Sequence, residues 1–389
     1  MGDSPKSIRR MTALCLVALI SLSACAASSG GRPDAPGAGQ GREAGREKEG
    51  ASVVVEGMSV REMVGQMFVV SVGGTEPDYF IEKMVRERNV GGVILFGYNM
   101  EGEKQVQSLT TSLQRLSMRT EPAVPLFVAV DQEGGDIASA PWVAPQPAAA
   151  EVGGRGDPAE ARAVSERIGT ELLRAGVNTN FAPVVDTGFG AAIGNRSFGE
   201  DPELVSRMGV ASIEGFEAAG IASSVKHFPN HGPAAVDSHE ELPVVNHDMK
   251  TIESFDLPPF RAAVEAGTPM VMAGHLLYPA VDAQRPASLS PKWMGVLRED
   301  LGFDGVVVTD DLTMAGASGR GTPGRAAVGA VKAGADLLVV SSPAQQQADA
   351  YDAVVAAVEA GEIPEERIRS SVERLLRVKE AYGFASRAH

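Results

Sequence analysis

Cysteine is nearly absent from this 389-residue chain: Cys15 and Cys25 are the two it has, and both precede the body of the sequence. A disulfide-stapled scaffold, a cysteine metal site and a thiol nucleophile are thereby excluded from that body. Basic charge is also short, with 35 Lys and Arg against 50 Asp and Glu and a net charge of −15. Phosphate backbones need a net basic surface, so nucleic acid is not an expected partner. The apolar run Met11–Leu22 is only 12 residues long, short of the roughly 20 that a spanning helix needs. With 44% hydrophobic and 22% charged residues, the proportions are globular and exclude disorder throughout.

The start of the chain reads as an address. Lys6, Arg9 and Arg10 form a basic stretch ahead of Met11–Leu22, which has the length of a secretory h-region. Leu22-Ser23-Ala24-Cys25 then resembles a bacterial lipobox, where cleavage falls before the cysteine and the thiol takes lipid. The expectation is a signal peptide over 1–24, lipidation of Cys25 and an extracytoplasmic protein held to the cell membrane. A signal cut after Ala24, beside an incidental cysteine, is the plainer alternative. From Ala26 to about Gly50 there is no aromatic or large aliphatic residue. Such a stretch cannot offset its ordering entropy by burial. A flexible tether is therefore expected over 25–57, ahead of one folded body over 58–389.

Within that body, Ser59-Val60-Arg61-Glu62 has the form of a capping box. Short apolar runs then recur between amphipathic stretches: Met67–Val70, Val93–Phe96, Leu126–Val130, Thr179–Phe181, Ser223–Lys226, Met270–Met272, Val306–Thr309 and Leu337–Val340. Alternation of this kind predicts βα units and a parallel sheet, and eight strands close a single α/β (β/α)8 barrel. An open doubly wound sheet stays as the alternative. No glycine-rich dinucleotide fingerprint follows the first run, which weakens it. Asp201-Pro202-Glu203 predicts a helix start. A last helix is expected from about Pro364, with Ile368, Val372, Leu375 and Leu376 on one face and Gly383 ending it.

Polar residues gather just beyond the strand ends, where barrels build their sites. Asp131-Gln132-Glu133-Gly134-Gly135 puts Asp131 at the mouth, or else is a capped turn. Arg196, among small polar residues, can present its fork to sugar hydroxyls or to a carboxylate. Four of the 6 histidines, His227, His231, His239 and His247, fall in one region. His227 and His231 have the i, i+4 spacing of a zinc helix, but Pro229 and Gly232 break any helix there, and no metal is expected. In an extended Asp237-Ser238-His239, the first and third side chains share a side. Asp237 then orients the ring of His239 and makes it a proton donor or acceptor; an incidental surface turn is the bland alternative. Asp310 and Asp311 follow a buried strand directly. One carboxylate can face the mouth while the other caps the rim.

Taken together, VAVDQEGG, NFAPVVD, IGNRSFGEDP, KHFPNHG with DSH, VMAGH, PASLS and VVVTDDLTM resemble glycoside hydrolase family 3, in its single-domain β-N-acetylhexosaminidase branch. The resemblance runs from about Ser59 almost to the C-terminus. It implies a (β/α)8 barrel and retaining removal of nonreducing-end β-linked GlcNAc, with neither metal nor organic cofactor. Asp310 corresponds to the nucleophile, His239 to the general acid/base and Asp237 to its orienting partner. Asp131, Arg196, Lys226 and His227 match positions that hold the sugar. Bacterial members of the branch act on peptidoglycan fragments. A β-glucosidase, a GlcNAc phosphorylase and a non-catalytic sugar-binding lipoprotein are the alternatives. Asp136 and Ser139 stand where the family usually has arginines, which motivates the last of these. Asn230 replaces a usual glycine, a change that asparagine tolerates if the backbone is left-handed.

Overall fold

The computed structural model describes residues 54–318, 321–341 and 343–387. The expected signal peptide, Cys25 and most of the expected tether lie outside them. The eight apolar runs form eight strands: β1 (Phe68–Ser71), β2 (Gly92–Ile94), β3 (Phe127–Val130), β4 (Thr179–Asn180), β5 (Ala222–Phe228), β6 (Met270–Ala273), β7 (Val306–Thr309) and β8 (Leu338–Val340). Each is parallel to the next, and β8 pairs back onto β1 with Leu338 opposite Phe68. A bridge between Val308 and Leu337 joins β7 to β8. The Thr309 N–H donates to Leu337 O at 2.9 Å and the Leu337 N–H to Val307 O at 3.0 Å. The ring is thus closed as a (β/α)8 barrel, and the open sheet is excluded. Every residue of β1, β3, β5, β6 and β7 is buried. That is the pattern of strands covered by side chains inside and helices outside.

Local signals in the sequence set the helix ends. At α1 (Val60–Gln66) the capping box forms: the Ser59 N–H donates to Glu62 Oε2 at 2.7 Å, and the Glu62 N–H to Ser59 Oγ at 3.3 Å. Two long helices, α2 (Pro158–Arg174) and α3 (Pro202–Ala219), each start at an Asp-Pro step whose aspartate accepts an N–H of the first turn. They lie so close that a Cβ on Gly215 would stand 2.2 Å from Arg162 O. In α4 (Glu365–Ala381), Ile368, Val372, Leu375 and Leu376 are all buried, and Gly383 follows with φ 64°. One boundary differs from expectation. Val55 is fully buried in the core, so the folded body begins before Met58. An apolar side chain that can reach the core joins it, whatever the composition upstream.

A buried carboxylate reinforces the closure of the barrel. Asp336, just before β8, is fully buried. Its Oδ2 accepts the Val307 N–H of β7 at 3.0 Å and pairs with Arg298. Its Oδ1 accepts from Ser371 Oγ at 2.7 Å and faces Arg367 at 3.4 Å, both on α4. Removing one partner of such a buried cluster leaves uncompensated charge and typically costs about 3–5 kcal/mol. Asp336→Ala is therefore expected to lower stability by roughly that amount, read as a fall in the urea midpoint. An unchanged midpoint would show that the ring closes without it.

Candidate active site

The site is assembled from segments that leave the C-terminal ends of the strands. After β3 the chain turns into a hairpin, Gln132–Gly134 against Ile137–Ala138. Alternate residues of an extended segment face opposite sides, and the sequence Asp-Gln-Glu uses that. Gln132 points inward, where Asn180 of β4 donates to its carbonyl at 2.8 Å and accepts its N–H at 3.0 Å. Asp131 and Glu133 point into a cavity of about 540 Å³. Gly134 and Gly135 make the hairpin bend at φ 103° and 55°, values that glycine adopts freely.

Glu133 is the electrostatic centre of that side. Arg196 grips it with both arms of its fork, Nε to Oε2 at 2.8 Å and Nη2 to Oε1 at 2.7 Å. Lys226 of β5 reaches the same carboxylate at 2.6 Å and Asp131 at 2.5 Å. Burial alone would raise the pKa of Glu133, but Lys226 and Arg196 pull it down to about 2. Burial likewise opposes the charge on Lys226 and Arg196. The carboxylates of Asp131 and Glu133 more than offset it for Lys226, and Glu133 does so for Arg196, leaving both held above their ordinary values.

Behind this group stands Asp186, which is fully buried. It accepts the backbone N–H groups of His227 at 3.1 Å and His231 at 2.6 Å, and meets His227 Nδ1 at 2.7 Å. Burial pushes its carboxyl up to about 6, against the pull of His231 and these N–H groups. His227 is pushed well below its ordinary value, first by burial and then by Arg196. A neutral ring fits both neighbours: Nδ1–H donates to Asp186, and Nε2 faces Arg196 Nη2 at 3.4 Å. The rings of His227 and His231 pack edge to face, 5.7 Å between centroids. Among the described residues no group of three or more His, Cys, Asp or Glu is arranged to hold a metal.

Two adjacent aspartates at the end of β7 divide their work. Asp311 turns to the rim, where its Oδ1 accepts from Thr313 N at 2.9 Å and Ser341 N at 3.2 Å, and its Oδ2 from Ser341 Oγ. Asp310 lines the cavity, and its Oδ1 accepts the Asp311 N–H at 2.8 Å. Burial works against its charge, yet His275, the Asp311 N–H and Lys226 hold it below the ordinary carboxylate value. His275 also steadies this segment. Its Nδ1 meets Ser288 Oγ at 2.7 Å and its Nε2 the Asp311 carbonyl at 3.0 Å, which accounts for the VMAGH and PASLS stretches.

The expected Asp237–His239 pair forms by a different geometry from the one the sequence suggests. Asp237, Ser238 and His239 lie in a turn rather than an extended run: the Glu240 N–H donates to Asp237 O at 3.1 Å. Oδ1 of Asp237 accepts the His239 N–H at 2.9 Å and meets its Nδ1 at 2.8 Å. An aspartate that bonds a backbone N–H two residues on closes such a turn by itself.

One cavity therefore brings together Asp131, Arg196, Lys226, His227, His239 and Asp310, with Asp237 behind His239. Ile94, Phe96, Phe181, Met272 and Val339 supply apolar wall. Glu133, Asp186 and His275 had no role assigned from sequence. For Glu133 the Asp-x-Glu alternation was a usable signal; for Asp186 and His275 the contacts are long-range and had none. Asp136 sits at the exposed hairpin bend and accepts from Asn195, the neighbour of Arg196, at 2.9 Å. Asn230 is not left-handed, since Asn89 is the one described non-glycine residue with positive φ. Its side chain is engaged instead in buried bonds, accepting from Thr187 N at 2.9 Å and Gly232 N at 3.0 Å and donating to Asp256 at 2.8 Å and Thr187 O at 3.2 Å.

A family model, that of the glycosyl hydrolase family 3 N terminal domain, matches residues 59–378. A beta-hexosaminidase A from Pseudoalteromonas piscicida is 36% identical over 327 residues; the match takes in 77% of this chain and about half, 54%, of that protein. A beta-hexosaminidase from Stenotrophomonas maltophilia is 35% identical, over 71% of this chain and 84% of its own length. The solved structure of a glycoside hydrolase family 3 beta-N-acetylglucosaminidase from Paenibacillus sp. superposes with a TM-score of 0.83 at 41% identity, over 84% of this chain and 63% of that one. On the span of the family match and the shares covered, this chain belongs to glycosyl hydrolase family 3.

Proposed function

We propose that this protein is a retaining exo-β-N-acetylglucosaminidase that takes nonreducing-end GlcNAc from peptidoglycan fragments, and that lipid on Cys25 holds it at the outer side of the cell membrane. The observation that carries the catalytic reading is the Asp310 carboxylate, ionised and, among the described residues, without a bonded cation, in the same cavity as the His239–Asp237 pair. The beta-hexosaminidase names of the relatives support the sugar. The Leu22–Cys25 motif supports the anchor.

In the first step Asp310 forms a bond to the anomeric carbon as the bond to the aglycone oxygen breaks, and His239 gives that oxygen its proton. In the second, His239 takes a proton from water, the water oxygen bonds to the anomeric carbon, and Asp310 leaves as carboxylate. Sugar hydroxyls are held by what the buried charges leave over. After their protein bonds, Lys226 keeps one of its three N–H donors and Arg196 one on Nη1, and Asp131 keeps an oxygen.

Asp310→Ala is expected to cut hydrolysis of a chromogenic GlcNAc β-glycoside by on the order of 10³-fold or more while the variant still binds GlcNAc. Unaltered turnover would remove Asp310 from the reaction, and a preference for the glucoside over the GlcNAc glycoside would remove the substrate.

The pH profile of kcat/KM should fall on its acid side. Asp310 lies below its ordinary value and Glu133 at about 2, so both stay ionised in mild acid. As pH falls through about 6, Asp186 takes up a proton and its charge no longer holds His227. The acid limb should therefore fall near pH 6; a limb below pH ~4 would transfer it to the nucleophile. His239→Ala should lower turnover on leaving groups that need a proton.

For the anchor, Cys25→Ser should move the protein from the membrane fraction to the soluble one. Fractionation that does not change would sink the lipid attachment and leave the catalytic reading untouched.

A further inference from the structure

Between Asp237 and His239 stands a residue that neither catalysis nor binding has claimed. Ser238 is 2% exposed, while the side chains of Asp237 and His239 on either side are 39% and 69% exposed. The pair's exposed side chains bond chiefly to each other, so where they stand is decided by the backbone, and the backbone is fastened at Ser238. Its Oγ meets His231 Nε2 at 2.9 Å. Its carbonyl accepts the Gly316 N–H at 3.0 Å.

Both fastenings lead back to the reacting centre. His231 is fixed by its own N–H to Asp186, which also holds His227. Among the described residues the Ser238 bond is its one ring hydrogen bond, because His231 Nδ1 is buried without a partner. Gly316 belongs to the segment that begins with Asp310. A Cβ on Gly316 would stand 2.9 Å from His275 Cβ and 3.0 Å from Ser238 O, so the absence of a side chain there is what lets the two segments meet.

We propose that Ser238 is a positioning residue that sets the His239 imidazole against the Asp310 carboxylate, by joining the acid/base turn to His231 through its hydroxyl and to the nucleophile segment through its carbonyl. This rests on the glycosidase reading above. A serine hydroxyl both donates and accepts, so it can bond the histidine nitrogen in either tautomer. Loss of the hydroxyl leaves Asp310, the sugar-holding residues and the Asp237–His239 contact in place, and changes only where the proton is delivered from.

That last point sets the test. A 2,4-dinitrophenyl leaving group departs without a proton, whereas p-methoxyphenyl needs one. Because kcat/KM covers steps up to the first irreversible one, it reports cleavage of the aglycone bond. Ser238→Ala is expected to lower kcat/KM on the p-methoxyphenyl GlcNAc β-glycoside by about 10- to 100-fold, part of what general acid catalysis supplies, and on the dinitrophenyl glycoside by less than about 3-fold. His231→Asn, which withdraws the other partner, should reproduce the contrast and carries the test if the serine variant does not fold. The double variant should fall no further than the lower single one. Equal losses on both glycosides, or none on either, would overturn the proposal. A wild-type protein that cleaves neither glycoside would instead overturn the glycosidase reading, and this assignment with it.

Discussion

Glu133 is the group on which the cavity depends. Lys226 and Arg196 carry side chains only 3% and 19% exposed, and an ion taken out of water costs several kcal/mol unless it is paired. Glu133 bonds both cations, and its partner Asp131 shares the lysine. The four residues come from the ends of β3 and β5 and from the segment after β4, so one carboxylate fastens three strand ends together. A hydrophobic substitution at Glu133 would leave Arg196 without its ion pair and Lys226 with Asp131 alone. The cost would fall on the shape of the cavity before it fell on any contact with a sugar.

In the proposed reaction a second constraint separates the nucleophile from the acid/base. Asp310 ends a buried strand and is steadied by the Asp311 N–H and, through the Asp311 carbonyl, by His275. His239 stands out on a turn. A nucleophile must meet one carbon along one line, which favours a rigid support. A group that first gives a proton to one oxygen and later takes one from another has to serve two positions. An exposed imidazole on a short turn, fastened by its neighbour rather than by its own ring, meets both demands. Burial would otherwise suppress the charge on Asp310. That it is held below its ordinary value is the work of His275 and Lys226, from two other segments, and of the neighbouring Asp311 N–H.

Much of this was legible beforehand because it is local. Eight apolar runs, the capping box at Ser59 and the Asp201-Pro202 helix start each depend on residues within a few positions, and each appears where expected. The division between Asp310 and Asp311 follows from the alternation of a strand. One inference went astray where a side chain overrode a backbone rule. Asp237 closes a turn on His239 instead of lying beside it in an extended run. At Asn230 tolerance of a left-handed backbone is not called on, and the amide joins Thr187 and Asp256. Asp186 and His275 could not be read at all, because their partners lie 13 to 45 positions away. Pairings of that range come from the closure of the barrel, which no local pattern encodes.

Retaining glycosidases commonly set two carboxyl groups about 5–5.5 Å apart, so the carboxylates of this cavity can be taken in turn. Among the described residues four line it: Asp131, Glu133, Asp310 and Asp311. Glu133, at about 2 and bound by two cations, has no proton to give near neutral pH. Asp131 is bonded to Lys226. Asp311 spends its oxygens on Thr313 and Ser341. Asp310 alone among them carries no bonded cation or hydroxyl, and one carboxylate cannot be nucleophile and acid in the same step. The proton must come from a group of another kind. His227 is held neutral, with its Nδ1 hydrogen committed to Asp186, and His231 Nε2 is engaged by Ser238. His239 remains, lining the cavity with Asp237 on its Nδ1. The proposed assignment of the acid to His239 is thus consistent with how this cavity spends its other charges.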